Sequence, residues 1–125
     1  MAESSAQLHE ARADLDASTL EFHRALVSLM EELEAIDWYQ QRIDATDDDE
    51  LAEVLAHNRN EEREHAAMTL EWLRRRDAGL DEVLRTYLFT EERIIDIEEE
   101  EEDSGDHQQA AQRGDASLGI GSLRS

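Results

Sequence analysis

Residues 47–76 read DDDELAEVLAHNRNEEREHAAMTLEWLRRR. The stretch has neither Pro nor Gly and is rich in Ala, Leu, Glu and Arg, which is the composition of a helix. Thr46 to Glu50 offers hydroxyl and carboxylate caps, with Asp47 and Glu50 at capping-box spacing. Arg74-Arg75-Arg76 gives a basic last turn that suits the helix dipole. The spacing predicts a helix from about Asp49 to Arg76. Its seam steps by fours and threes through Leu51, Leu55, Asn58, Glu62, His65, Thr69 and Trp72, with Val54 and Met68 beside it.

Upstream, Leu8, Leu15, Phe22, Leu29, Ile36 and Ile43 recur every seven residues, and Leu26 and Leu33 thicken that stripe. It is one face of a second long amphipathic helix, with fraying expected before Leu15. Downstream, Gly79 reads as a break, and Leu80, Val83, Leu84, Tyr87 and Leu88 outline a shorter third helix. The fold class is all-α, an antiparallel hairpin of two long helices plus a short third one. Such a hairpin cannot bury two apolar seams by itself, and a short helix adds little. The chain is therefore expected to fold as part of an oligomer.

Across its 125 residues the chain carries 33 Asp and Glu against 12 basic side chains, all of them Arg, for a net charge of −21. That field argues against nucleic acid and anionic membrane as partners and suits cations. The absence of Cys excludes disulfides, thiolate metal sites and a cysteine nucleophile. No apolar run in the first 30 residues exceeds Ala25-Leu26-Val27, so no secretory signal or membrane span is expected, and a cytoplasmic setting is. From Asp96 the chain runs DIEEEEEDSGDHQQ, too polar for a core, and reads as a solvated linker. The expected organisation is a helical domain over 1–95, an acidic flexible linker over 96–116 and a tail over 117–125.

Three residues break the apolar seams. Glu32 lies three residues after Leu29 and four before Ile36, so it points from the apolar face of the first helix. Glu62 and His65 take seam positions on the second. Carboxylates on an apolar face are costly unless paired or metal-bound. Glu32 lies 14 residues before Thr46 and Glu62 lies 14 residues after Asp48, so in an antiparallel hairpin they stand level. His65 follows one turn along, about 4.5 Å further at ~1.5 Å per residue. Glu62-Arg63-Glu64-His65 is an E-x-x-H motif, and ferritin-like di-iron sites use two of these plus two further Glu. One chain holds half of that set, and a two-fold axis would complete it. The plainer alternative is a solvent-facing Glu62 with a structurally satisfied His65.

The stretches HRALVSLMEELEAIDWYQQR (23–42), LAHNRNEEREHAAMTLEWLRRR (55–76) and LRTYLFTE (84–91) resemble the encapsulated ferritins, over roughly Phe22 to Thr90. The resemblance implies a hairpin that dimerises into a ferritin-like four-helix bundle, dimers arranged in a ring (a decamer), and a di-iron site at the dimer interface. Glu32, Glu62 and His65 match the family's iron ligands and would be its catalytic residues. The implied activity is ferroxidase, taking Fe(II) and O2 as substrates and feeding iron to a mineral stored in a surrounding shell. Ser117-Leu118-Gly119-Ile120-Gly121-Ser122-Leu123-Arg124 resembles the peptide that docks cargo inside an encapsulin shell, which implies residence in an encapsulin nanocompartment. A non-catalytic buffer for Mn(II) or Zn(II) and a structural helical adaptor are the competing classes.

Secondary positions are more evenly balanced. Glu31 and Glu34 flank Glu32, with Trp38 one turn beyond Glu34; alone they read as a solvated acidic face, while the resemblance implies a metal inlet. His57, Glu61 and Glu64 share a helix face turned from the seam. They suit either a cation such as calcium or plain surface pairing. Tyr39, seven residues after Glu32, is either a neighbour of bound metal or a half-buried tyrosine with a wet tip. His9, His23 and His107 show no partner set in the sequence.

Overall fold

The computed structural model describes the backbone of residues 6–112 and the side chains of 6–105. A single 3₁₀ turn, Arg12–Asp14, precedes four helices: α1 (Ala17–Ala45), α2 (Asp49–Arg76), α3 (Ala78–Tyr87) and α4 (Ile94–Gln112). There is no strand among the described residues. The chain divides into two compact units, one ending at Arg76 and the other beginning at Asp77.

The first unit is the hairpin. Thr46 to Asp48 leave room only for a tight reversal, so α1 and α2 run antiparallel and pack along their lengths. The turn is pinned by Asp48, whose Oδ1 accepts from Leu51 N at 2.9 Å, while its own N–H donates to Thr46 Oγ1 at 3.2 Å. The cap is thus Asp48, one residue later than the capping-box spacing predicts. Across the hairpin, Arg59 Nη1 donates to Gln40 Oε1 at 2.7 Å. The start of α1 is also later than its sevenfold repeat. Leu8 and Leu15 lie before Ala17, the first helical residue, and Asp16 takes extended dihedrals ahead of it.

The predicted α2 seam is half-buried at Leu55, Asn58, Glu62, His65, Thr69 and Trp72. On α2 the buried residues are Ala66 and Leu73, seven apart, whereas Leu51, Val54 and Met68 of the predicted stripe stay exposed, Met68 by 59%. On α1, Leu26, Leu33 and Trp38 are also exposed. A single partner helix thus leaves apolar side chains of both long helices open.

In the second unit, Asp77 ends α2 and starts α3, its carboxylate accepting from Leu80 N at 2.9 Å. Gly79 lies inside the first turn of α3 and is not the break. α3 contacts α4, and Ile97 is buried. Burial raises the pKa of Tyr87, and the charges of Glu98, Glu101 and Glu102 push the same way. The stretch expected as a flexible acidic linker is therefore helical up to Gln112. Glu is a good helix former, and buried Ile97 anchors a run whose like charges would otherwise oppose it. The expected boundary near residue 95 moves to 76/77, since α3 groups with α4. Residues 117–125, which carry the expected docking peptide, lie outside the described residues.

Candidate metal centre

Glu62 and His65 share one face of α2 because they are three residues apart, and their side chains meet: Glu62 Oε1 lies 3.5 Å from His65 Nδ1. The other ring nitrogen, Nε2, lies 4.0 Å from Glu61 Oε1. Glu61 Oε2 is in turn 3.9 Å from His57 Nε2. Four side chains, His57, Glu61, His65 and Glu62, thus form one continuous run of alternating imidazole and carboxylate. The sequence assigned His57 and Glu61 to a face separate from His65. The structure joins the two sets through Glu61. Glu64 takes no part in this run and is exposed.

Glu32 is half-buried on α1, and its Oε1 is out of contact with solvent and without a hydrogen-bond partner among the described residues. A buried carboxylate oxygen left unpaired is unfavourable, by about 1–3 kcal/mol or more for a charged group. A cation bound beside it would compensate it. Oxygen and imidazole donors together suit a divalent transition metal such as iron. Within one chain, no three His, Asp or Glu side chains converge as a metal-holding group among the described residues. One hairpin contributes donors from two helices without closing a site around them.

The flanking residues are less organised. Glu31 is exposed, Glu34 half-buried and Trp38 half exposed. Arg42 stands over the ring of Tyr39 at 5.6 Å, which gives that tyrosine a cationic neighbour on its own helix. Further along α2, Glu71 is held between Arg74 and Arg75, with contacts of 2.7 Å to each, and its pKa is lowered to about 2 by those hydrogen bonds. His23, unassigned from the sequence, has a partner: its Nε2 lies 2.7 Å from the carbonyl of Ala6. A backbone acceptor has no side-chain signature, so nothing in the sequence marks it.

A family model described as EncFtn-like matches residues 7–91. The chain belongs to the EncFtn-like family, that of the encapsulated ferritin-like proteins. It is 58% identical over 129 residues to an encapsulated ferritin-like protein of Rhodospirillum rubrum, covering 99% of this chain and 92% of that one. To a ferritin-like protein of Thermotoga maritima it is 55% identical over 94 residues, or 75% of this chain and 82% of that one. Among solved structures, a protein of Nitrosomonas europaea superposes with a TM-score of 0.67 at 53% identity, covering 70% of this chain and 96% of that one. For this EncFtn-like chain the all-α, ferritin-like fold is established. The matched segment spans α1, α2 and α3, so it contains every residue of the run around His65, and Glu32 with them. No helix among the described residues is long and apolar enough to cross a membrane.

Proposed function

We propose that the chain is a ferroxidase, which oxidises Fe(II) with O2 at a site completed by a second copy. The observation that carries this reading is the unpaired, solvent-excluded Oε1 of Glu32, which by residue count stands level with Glu62. Two hairpins related by a two-fold axis would supply two Glu32, two Glu62 and two His65. The exposed stripe of Leu26, Leu33, Leu51, Val54 and Met68 gives that second copy an apolar surface to cover. The likeness to ferritin-like proteins supports iron as the metal.

In this reading Fe(II) is substrate, and each ion gives up one electron to O2. The carboxylates of Glu32 and Glu62 neutralise cation charge and favour the ferric product, whose higher charge they bind more strongly. His65 supplies a nitrogen donor, and Glu61 lies beside its other ring nitrogen, where it could orient the ring. Glu31, Glu34 and Trp38 form an inlet, and His57, Glu61 and Glu64 a secondary site suited to calcium. Dimers assemble further into a ring. An open ring has no enclosed volume for mineral, so iron passes to an encapsulin shell, to which residues 117–124 attach the chain. The encapsulated relative in Rhodospirillum rubrum supports that placement.

The deciding experiment is stopped-flow absorbance after aerobic mixing with Fe(II). A ferric-oxo band that grows faster than in protein-free buffer is expected. Bound metal without accelerated oxidation would make the chain a buffer, and neither binding nor oxidation would make it an adaptor.

A further inference from the structure

Outside the candidate metal centre, the segment before α1 folds back to form an open cavity of about 290 Å³ against the first turns of that helix. Arg12, His23 and Arg24 line it together with Leu20, Val27 and Ser28. We propose that this cavity binds a small oxyanion, a carboxylate or a phosphate.

The first support is charge. The chain has 33 acidic side chains, yet among the described residues none lines this cavity, although Glu10, Asp14, Asp16 and Glu21 are close by in sequence. Of the two arginines in its lining, Arg24 already pairs with Glu21 and Arg12 does not. With a net charge of −21 the protein's field repels anions in general. Screening confines that field to about 8 Å at physiological salt, so a local cationic wall can still act.

The second support is the unused capacity of Arg12. Most other arginines in the described part are engaged: Arg59 and Arg63 on Asn60, Arg74 and Arg75 on Glu71, Arg76 over Trp72, and Arg85 on Asp81. The side chain of Arg12 has no hydrogen bond, ion pair or ring contact among the described residues. Its planar fork of donors matches a carboxylate or phosphate edge in a bidentate way, which a spherical anion cannot exploit. Arg24 pairs with Glu21, which fixes the direction of its guanidinium and leaves it a secondary donor.

The third support is that the cavity is already formed. The contact between His23 Nε2 and the Ala6 carbonyl ties the segment down across 17 residues of sequence. Half-buried Leu20 and Val27 provide an apolar wall that strengthens a charged hydrogen bond beside it and accepts a short aliphatic tail.

The test titrates the full-length protein with inorganic phosphate, and separately with butyrate, at constant ionic strength with chloride as the balancing anion. The readout is the His23 ring resonances. Saturable shifts with one anion per chain are expected for at least one of the two. Phosphate alone would assign a tetrahedral ligand, and butyrate alone a carboxylate with an apolar tail. Arg12→Gln is expected to weaken binding at least about tenfold, the scale of a lost charged hydrogen bond. The Arg12 side chain is exposed and has no partner among the described residues, so the fold should be unaffected, and an unchanged far-UV spectrum checks this. Ser28→Glu, which brings a carboxylate to the wall, is expected to weaken binding as well, whereas Arg85→Gln leaves it unchanged. Non-saturating shifts, shifts that chloride alone reproduces, or Arg12→Gln binding as tightly as the unaltered protein would each overturn the proposal.

Discussion

Glu62 Oε1 faces His65 Nδ1 across 3.5 Å, one turn apart on α2, and Glu61 stands 4.0 Å from the opposite nitrogen of the same ring. At these distances neither contact is a tight hydrogen bond, so the carboxylate oxygens are not committed to the ring. On α1 the matching feature is the unpaired Oε1 of Glu32.

Replacing those donors separates catalysis from folding. Glu32→Ala, Glu62→Ala and His65→Ala are each expected to lower the iron oxidation rate by at least about 10–100-fold, the loss known for residues merely supporting a metal ligand. Each substitution removes its donor twice if a two-fold axis runs through the site. Helicity should be retained, because Glu32 loses an unfavourable burial and the other two are half-buried. Glu61→Ala should slow oxidation less than Glu62→Ala. If all three principal variants oxidise Fe(II) at the unaltered rate, the donor assignment is wrong.

Leu73 and Leu33 should behave in opposite ways. Leu73 is 1% exposed and sits inside the hairpin, so Leu73→Ala is expected to destabilise the fold by about 2–5 kcal/mol, read as a lower urea midpoint. Leu33 is 52% exposed in the single chain, so Leu33→Asp should leave the hairpin's helicity intact and shift the protein to smaller species in light scattering. A Leu33→Asp protein that assembles like the unaltered one would remove that stripe from the interface.

The two long helices were legible from sequence because their signals agree. Asp48 and the arginine triplet bracket a Gly-free run, and α2 extends over Asp49–Arg76 as expected. The α2 face that packs on α1 was legible in part. Leu73 lies on the same line of the helix as Leu55, within the predicted seam, while small Ala66 gives no apolar signal of its own. α4 was missed for a related reason. Its acidic run lacks helical periodicity, and buried Ile97 alone marks an inner face. At the metal centre, type and spacing identified Glu32, Glu62 and His65 as candidates, but the link from His65 through Glu61 to His57 depends on rotamers.

Assembly should respond to divalent ions. Glu31, Glu32, Glu34, Glu61, Glu62 and Glu64 crowd carboxylates around the mid-height of the hairpin, with only Arg59 and Arg63 nearby in sequence to offset them. Bringing two such faces together costs free energy that bound Fe(II) or Ca(II) would offset by mass action. Size-exclusion chromatography at low salt is expected to show a larger species with the ion than with a chelator. Identical profiles would count against the prediction.

Glu71 sets a pH dependence of known sign. Its folded pKa lies at about 2, below the ordinary 4.5, because Arg74 and Arg75 bond its charged form. The stabilisation is therefore fully present above 4.5 and is lost as pH falls from there through about 2. The side chain is 41% exposed, so solvent screening keeps the effect small. Glu71→Gln should lower the thermal midpoint slightly near neutral pH, and the gap to the unaltered protein should close on acidification. A gap that widens on acidification would contradict this.

The C-terminal peptide is expected to govern address and not chemistry. Ser117 to Arg124 spaces Leu118, Ile120 and Leu123 with Gly119, Gly121 and Ser122 between them. Three aliphatic side chains at such intervals can fill separate apolar pockets of a partner, and the two glycines permit close backbone approach to its surface. None of the donors around His65 lies within 40 residues of this peptide in sequence. Deleting residues 117–125 should therefore leave the soluble iron oxidation rate unchanged and abolish co-purification with an encapsulin shell expressed alongside. The two readouts are independent, so a truncated chain that loses oxidation would tie the tail to the site. Co-assembly that survives the deletion would place the docking determinant elsewhere, with the acidic helix α4 the next segment to remove.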